Sequence, residues 1–253
     1  QRVYRQILSV DKNANITIAT SRSQVSSIHN QLSEDVNICI EPCRKDTFPA
    51  IALATAYLTD VMHVDPEESV VVCPVDPYVN DDYFAALHQL WELAQSGTAN
   101  LVLMGIQPTY PSEKYGYILP TDKNTISKVR TFKEKPDIYT AKYYLKQGNY
   151  LWNSGMFAFR LGDFFAELSK HAPDVYALAR GSYEDMLASF EHMPDISLDY
   201  AVAEHTEEGV TLPLPCYWND EEKQLYAFRL NEHYDRLLRS ARLLQINCPF
   251  NKE

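Results

Sequence analysis

The sequence predicts an α/β fold in which a Rossmann-like, mixed but mostly parallel sheet is flanked by helices. Apolar, strand-like stretches at residues 36–40, 70–72 and 101–106 alternate with amphipathic helical stretches such as 21–32 and 82–96. Strands and helices that alternate in this way are joined by right-handed crossovers into a parallel sheet. At 253 residues the chain is long enough for one large domain with its own core.

Composition excludes some classes of partner. The net charge of −11 argues against wholesale binding of nucleic acid or of an anionic membrane, so an anionic substrate needs local cations or a metal ion. The five cysteines are odd in number and contain no CxxC pair, which indicates reduced thiols. Because the sequence has neither a secretory leader nor an apolar run near 18 residues, we expect a cytoplasmic protein.

Two aspartates close apolar stretches of the sequence. Asp76 follows the strand-like run at 69–72, and Asp220 ends a second one at 216–220. Ligands of open α/β sheets bind beyond the carboxyl ends of the strands, where carboxylates can hold Mg²⁺ against phosphates. If the two strands end side by side, the pair would chelate that ion. For Asp76 a turn or a helix cap is an equally good interpretation, since Asn80 is one of several possible caps nearby.

Other candidates lie before a helix and at the ends of short strands. Arg44 and Lys45 precede a helix whose N-cap is Asp46 or Thr47, an arrangement that binds anions unless the charges are simply solvated.

Glu134, between two lysines, could accept sugar hydroxyls with an ammonium group beside it for a phosphate. Gly116 would let a ligand approach a strand closely, and Asn153 could bind a polyol through its amide. A solvated strand end and a turn are the ordinary alternatives for Glu134 and Asn153.

From Ile38 to Asp220 the chain resembles the sugar-1-phosphate nucleotidylyltransferases, and among them the mannose-1-phosphate guanylyltransferases. The segments that carry the resemblance, in the family's order, are EPCRKDTFPAIA (41–52), CPVD (73–76), YGYI (115–118), FKEKPD (132–137), YLWNSGMF (150–157), LDYAV (198–202) and YWND (217–220). The resemblance implies the nucleotide-diphospho-sugar transferase fold. It also implies transfer of GMP from GTP to mannose 1-phosphate, with Mg²⁺ as cofactor and with GDP-mannose and pyrophosphate as products.

The resemblance assigns roles to individual residues. Asp76 and Asp220 match the two metal-binding aspartates. The substrate contacts that it implies are Gly116 for the sugar nucleotide, Glu134 and Asn153 for sugar hydroxyls, Lys135 for a phosphate, and Asp199 near the sugar. Attack of one anion on another needs such cations, because two like unit charges about 4 Å apart repel by about 4 kcal/mol at an effective dielectric constant of about 20. No protein nucleophile is needed for this reaction.

The same resemblance predicts the domain organisation. We expect residues 1–220 to form the nucleotidylyltransferase domain, with the family's opening strand and glycine-rich loop preceding Gln1. Residues 221–253 are predicted to be a helical segment that packs on this domain or forms the seam of a homodimer. Two alternatives stay open: a nucleotidylyltransferase for another sugar or base, such as a thymidylyltransferase, and a non-catalytic regulatory protein that binds sugar nucleotides.

Overall fold

The computed structural model describes residues 1–32, 35–75 and 81–214. All of them belong to one compact unit of the chain, Gln1–Trp218. The strand predicted at 216–220 and the helical segment predicted at 221–253 lie outside the described residues, as do Asp76, Asn80 and Asp220. None of the described helices combines the length and the apolar character needed to cross a membrane.

Helices and strands alternate through the first half of the chain, as the apolar stretches predict. The helices are α1 (Arg2–Val10), α2 (Val25–Gln31), α3 (Thr47–Ala56), α4 (Asp81–Gln95), α5 (Ile138–Gln147), α6 (Leu161–His171), α7 (Pro173–Ala179) and α8 (Tyr183–Ser189), with short 3₁₀ turns at Arg22–Gln24 and Phe190–His192 and π-helical turns at Tyr57–Val61 and Asp199–Ala203. The strands are β1 (Thr17–Ser21), β2 (Asn37–Glu41), β3 (Ser69–Val72), β4 (Leu101–Ile106), β5 (Tyr117–Pro120), β6 (Ser127–Lys133), β7 (Leu151–Arg160) and β8 (Gly209–Leu214).

The strands form a parallel pair, β1–β2, and a mixed sheet with the order β3-β7-β4-β8-β6-β5. Within the described part of that sheet, β3, β4, β5 and β8 run in one direction, and β6 and β7 run in the other. The predicted class, a mixed sheet flanked by helices, is confirmed. The sheet is less parallel than predicted, because β4 and β8 are the only pair of its described strands that run in parallel next to each other. The antiparallel strand between β3 and β4 is a feature that the strand and helix pattern did not indicate.

Strand β7 determines which loops meet. It pairs with β4 along one side. On its other side it pairs with β3 through Phe157–Arg160 and with β5 through Leu151 and Trp152. A stretch of β7 between these two partners, which begins at Asn153, therefore faces the loops that follow β3 and precede β5.

The core lies on both faces of the mixed sheet. β4 is buried at every position, and its side chains alternate between the two faces. Leu101 and Leu103 pack with α3, α6, α7 and α8, whereas Val102, Met104 and Ile106 pack with α1, α4 and α5. A strand buried on both faces explains the continuous apolar run at 101–106.

Three local features differ from the sequence-based expectation. The helix predicted after Asp46 changes at Tyr57 into a π-helical turn, next to Thr55 and Thr59, whose hydroxyls donate to backbone carbonyls of the preceding turn. Asn153, for which a turn was the ordinary alternative, lies inside β7, where Gly155 adopts a φ of 76°. Helix α7 was not predicted.

Gly105 provides a test of the packing between β7 and β8. A Cβ atom there would lie 2.6 Å from Leu151 Cδ1 and 2.9 Å from Thr211 Oγ1, so Gly105→Ala should lower the free energy of unfolding by about 1–3 kcal/mol. Gly209→Ala is the matched control, because its Cβ would make only ordinary contact, 3.5 Å from Val129 Cβ. Urea denaturation of both variants checks this, and equal stabilities would contradict it.

Candidate active site

Five of the residues singled out in the sequence meet where β5 and β7 begin and β6 ends. Tyr117 of β5 pairs with Trp152 of β7 and with Lys133 of β6. The residues next to these three are Gly116, Asn153 and Glu134. The Asn153 backbone N–H also donates to the Gly116 carbonyl oxygen at 2.8 Å. Three segments far apart in sequence are thereby fixed against one another by backbone pairing.

Glu134 is the buried centre of this cluster, with only 4% of its surface exposed. Its Oε1 lies 3.0 Å from the ammonium nitrogen of Lys135. A Cβ atom on residue 116 would lie 2.6 Å from Glu134 Oε2, so only a glycine leaves room for this carboxylate. Gly116 is thus explained by its contact with Glu134, whatever ligand binds there.

Asp199 lies beside the same cluster at the start of a π-helical turn. The Asn153 side-chain amide donates to Asp199 Oδ1 at 2.5 Å. Because Asn153 is itself buried, its amide has a fixed direction, and this hydrogen bond orients the Asp199 carboxylate. Single-turn π-helices are rare and are frequently found at functional sites.

The cluster combines a buried acid, Glu134, and a half-buried acid, Asp199, with the ammonium group of Lys135. Burial, and then the charge of Asp199, raise the pKa of Glu134 to about 7, although Lys135 partly opposes the shift. Burial also raises the pKa of Asp199, against its backbone and Asn153 hydrogen bonds. Burial alone would lower the pKa of Lys135, but its pairing with Glu134 raises it. Clustered pKa shifts of this kind are typical of functional sites.

The segment before α3 contributes differently from the sequence-based hypothesis. Lys45 donates its ammonium protons to the backbone carbonyls of Glu191 and Met193, at 2.8 and 2.7 Å, and so fastens the loop after α8. Arg44 is exposed. Asp46 is the N-cap of α3, as predicted, with its carboxylate accepting from the Thr47 N–H at 2.7 Å.

Two acidic residues near this cluster were not predicted to belong to it. Asp46 acts on the pKa of both Lys135 and Asp199 through its charge, so the beginning of α3 faces the cluster. Glu204 accepts a hydrogen bond from the Glu134 backbone N–H at 2.7 Å. For Asp46 the signal was its position in the EPCRKD segment, whereas nothing in a single sequence connects residues 134 and 204.

The predicted metal ligands Asp76 and Asp220 lie outside the described residues, and their positions stay a prediction. Within the described ranges, no group of three or more His, Cys, Asp or Glu side chains could hold a metal ion. The strands that precede the two aspartates, β3 and β8, run in the same direction.

The chain belongs to the nucleotidyl transferase family, whose model matches residues 4–221. This confirms the resemblance drawn from the seven segments. Among curated relatives, the chain is 36% identical over 209 residues to the alginate biosynthesis protein AlgA of Pseudomonas fluorescens, covering 76% of this chain and 42% of that protein. It is 36% identical over 222 residues to the mannose-1-phosphate guanylyltransferase ManC of Salmonella typhimurium, covering 81% and 45%.

Solved structures show the same similarity. A Thermus thermophilus protein described as a mannose-1-phosphate geranyltransferase superposes with a TM-score of 0.74 at 27% identity, over 87% of this chain and 64% of that one. A Helicobacter pylori protein described as a mannose-6-phosphate isomerase superposes with a TM-score of 0.71 at 25% identity, over 86% and 89%. The chain spans less than half the length of the curated relatives named above.

The pKa of Glu134 predicts how stability depends on pH. The folded protein keeps this proton up to about pH 7, whereas the unfolded chain releases it near the ordinary glutamate pKa, so stability falls as pH rises between those values. Glu134→Gln does not titrate. The free energy of unfolding of Glu134→Gln minus that of the unchanged protein should therefore increase by about 2–3 kcal/mol from pH 5 to pH 8.

Urea denaturation at several pH values measures this difference. The control is Glu207→Gln, which removes an exposed carboxylate from a residue outside the cluster. A Glu134→Gln curve parallel to that of the unchanged protein across the whole pH range would show that Glu134 is ionised normally.

Proposed function

We propose that this chain carries the site that transfers GMP from GTP to mannose 1-phosphate, giving GDP-mannose and pyrophosphate. The observation that carries the proposal is the meeting of Gly116, Glu134, Lys135, Asn153 and Asp199 at one place, since these residues come from four of the segments that resemble the guanylyltransferases. The names of the similar curated proteins from Salmonella typhimurium and Escherichia coli point to the same reaction.

The cluster supplies what a sugar phosphate requires. The carboxylate oxygens of buried Glu134 and half-buried Asp199 accept hydrogen bonds from sugar hydroxyls, and the Asn153 amide keeps the Asp199 carboxylate in a fixed orientation. Gly116 leaves the space that Glu134 occupies. Lys135, whose ammonium nitrogen lies 3.0 Å from Glu134 Oε1, serves as the contact for the phosphate.

The register of β7 supports a place for Asp76 beside this cluster. The chain leaving β3 at Val72 continues along β7 from Phe157 towards Asn153, and Pro74 Cγ lies 4.0 Å from the Cβ position of Gly155. Asp76 follows four positions after Val72 in sequence.

Nucleotidyl transferases of this family generally use a divalent metal ion. We propose Mg²⁺, held by Asp76 and Asp220, because both are carboxylates and both follow strands that end at the same edge of the sheet. When bound, the ion would neutralise phosphate charge during the reaction. The side chains of the cluster bind and orient the sugar phosphate. Its phosphate oxygen can then attack the α-phosphorus of GTP in line with the leaving pyrophosphate.

The remaining expectations become parts of the same proposal. Arg44, which is exposed just before α3, would contact the phosphates of the nucleotide. Lys45, already bound to two carbonyls, would support that segment rather than reach the substrate. Residues 1–220 would act as the catalytic domain, and residues 221–253 would pack on it or join two copies. Cys39, Cys43 and Cys73 are unpaired thiols, which agrees with a cytoplasmic protein.

Turnover of the full-length protein tests the activity. With mannose 1-phosphate and Mg²⁺, GTP should give GDP-mannose and pyrophosphate faster than dTTP does, and a chelator should stop the reaction. Asp76→Asn and Asp220→Asn should each lower kcat by about a hundredfold or more, because the metal contributes several kcal/mol to the transition state. The control is Asp122→Asn, at the turn between β5 and β6.

Three results would contradict this proposal: preference for another nucleotide, activity that resists chelation, or normal activity of either aspartate variant. Absence of any turnover in the full-length protein, with sugar nucleotide still bound, would favour the regulatory alternative.

Gly116→Ala tests the sugar end of the site. The added methyl group must displace the Glu134 carboxylate, so the KM for mannose 1-phosphate should rise by about tenfold, the loss of one hydrogen bond to a charged group. The KM for GTP should change little. Steady-state kinetics measure both constants, with Gly209→Ala as the control for adding a methyl group to a strand glycine. Equal changes in the two KM values would argue against a sugar contact.

A further inference from the structure

Glu204 connects the segment that carries Glu134 with the segment that carries Asp199. Its Oε1 accepts the Glu134 backbone N–H at 2.7 Å and lies 3.3 Å from the ammonium nitrogen of Lys133. Its own backbone N–H donates to the carbonyl oxygen of Asp199 at 2.9 Å. One residue therefore contacts the turn that begins with Glu134 and the turn that begins with Asp199.

Both of these turns need external support. Lys135 has a φ of 40°, a left-handed conformation that costs free energy for any residue with a side chain. Asp199 begins a π-helical turn, Asp199–Ala203, and the N–H of Glu204 closes that turn. At Glu134, β6 has already ended at Lys133. The Glu204 side chain accepts the hydrogen bond that would otherwise go to a sheet partner.

We propose that Glu204 is a positioning residue for the sugar site, acting through the Glu134 backbone and the Asp199 turn without touching the substrate. It fixes the distance between the Glu134 and Asp199 carboxylates, which receive the sugar hydroxyls. This inference rests on the proposed function, because it assigns a consequence to Glu204 in sugar phosphate binding.

The hydrogen bond to Glu134, and not the ion pair with Lys133, is the contact that matters. The Lys133 side chain is 50% exposed, and ion pairs at exposed side chains contribute little because water screens them. The Glu204 side chain is 16% exposed, so the Glu134 N–H has little water available to replace its acceptor. Substitutions at positions 133 and 204 can therefore separate the two contacts.

Steady-state kinetics of the full-length protein test the inference with four variants. Glu204→Ala removes the acceptor and should raise the KM for mannose 1-phosphate by about tenfold or more, with the KM for GTP changed less than about twofold. Glu204→Gln keeps a carbonyl oxygen at that position and should restore the KM to within about threefold of the unchanged protein. Lys133→Gln removes only the ion pair, and Glu207→Ala removes an exposed carboxylate from the same segment. Both should behave like the unchanged protein.

Amide hydrogen exchange gives a second readout that does not require activity. The Glu134 amide should exchange faster in Glu204→Ala than in Glu207→Ala, while amides in β4 should keep their protection. Normal kinetics in Glu204→Ala would overturn the inference and leave the proposed function intact. A rise in both KM values with loss of β4 protection would also overturn it, since Glu204 would then only stabilise the fold. An unchanged protein without turnover would remove the proposed function, and this inference with it.

Discussion

The site depends on holding the buried carboxylate of Glu134 and the half-buried carboxylate of Asp199 beside the ammonium group of Lys135. Burial raises the pKa of both acids, and Lys135 compensates only in part. Folding alone gains nothing from this arrangement, because neutral apolar side chains of similar size would avoid the desolvation. A ligand that brings hydroxyl donors to the carboxylates recovers that free energy on binding. Under the proposed function, the cost to stability would thus be converted into affinity for the sugar, as expected where function opposes stability.

Strand β7 explains how such a cluster can be held together. Its pairing with β4 and β3 fixes the strand in the sheet, and its pairing with β5 brings Gly116 to Asn153. Since β5 also pairs with β6, the position of Glu134 follows from the same register. A shift of one residue in β7 would turn Asn153 to the other face of the sheet. The geometry of the site is therefore set mainly by backbone hydrogen bonds.

What the sequence predicted well was local. The apolar run at 101–106 coincides with β4, and the FKEKPD segment places Glu134 just after β6. The hydrophobic periodicity of a strand does not show which other strands it pairs with. The position of β7 between β3 and β4 was therefore not predicted. For the same reason Lys45 was expected to bind a substrate anion, whereas it binds carbonyls of residues 191 and 193. The role inferred for Glu204 depends on its hydrogen bond with Glu134, 70 positions away, and no local sequence pattern indicates that contact.

The pKa of Glu134, about 7, also bears on specificity in the proposed reaction. Near neutral pH the Glu134 carboxyl group is present in both forms. When ionised it can accept a hydrogen bond from a hydroxyl group, and when neutral its O–H can donate one. A substrate that lacks the matching hydroxyl would leave this buried group without a partner, which costs far more than the loss of an apolar contact. In the proposed reaction, selection among sugars would therefore follow from the desolvation that raises the pKa of Glu134. The feature that weakens the fold at high pH would then also distinguish one sugar phosphate from another.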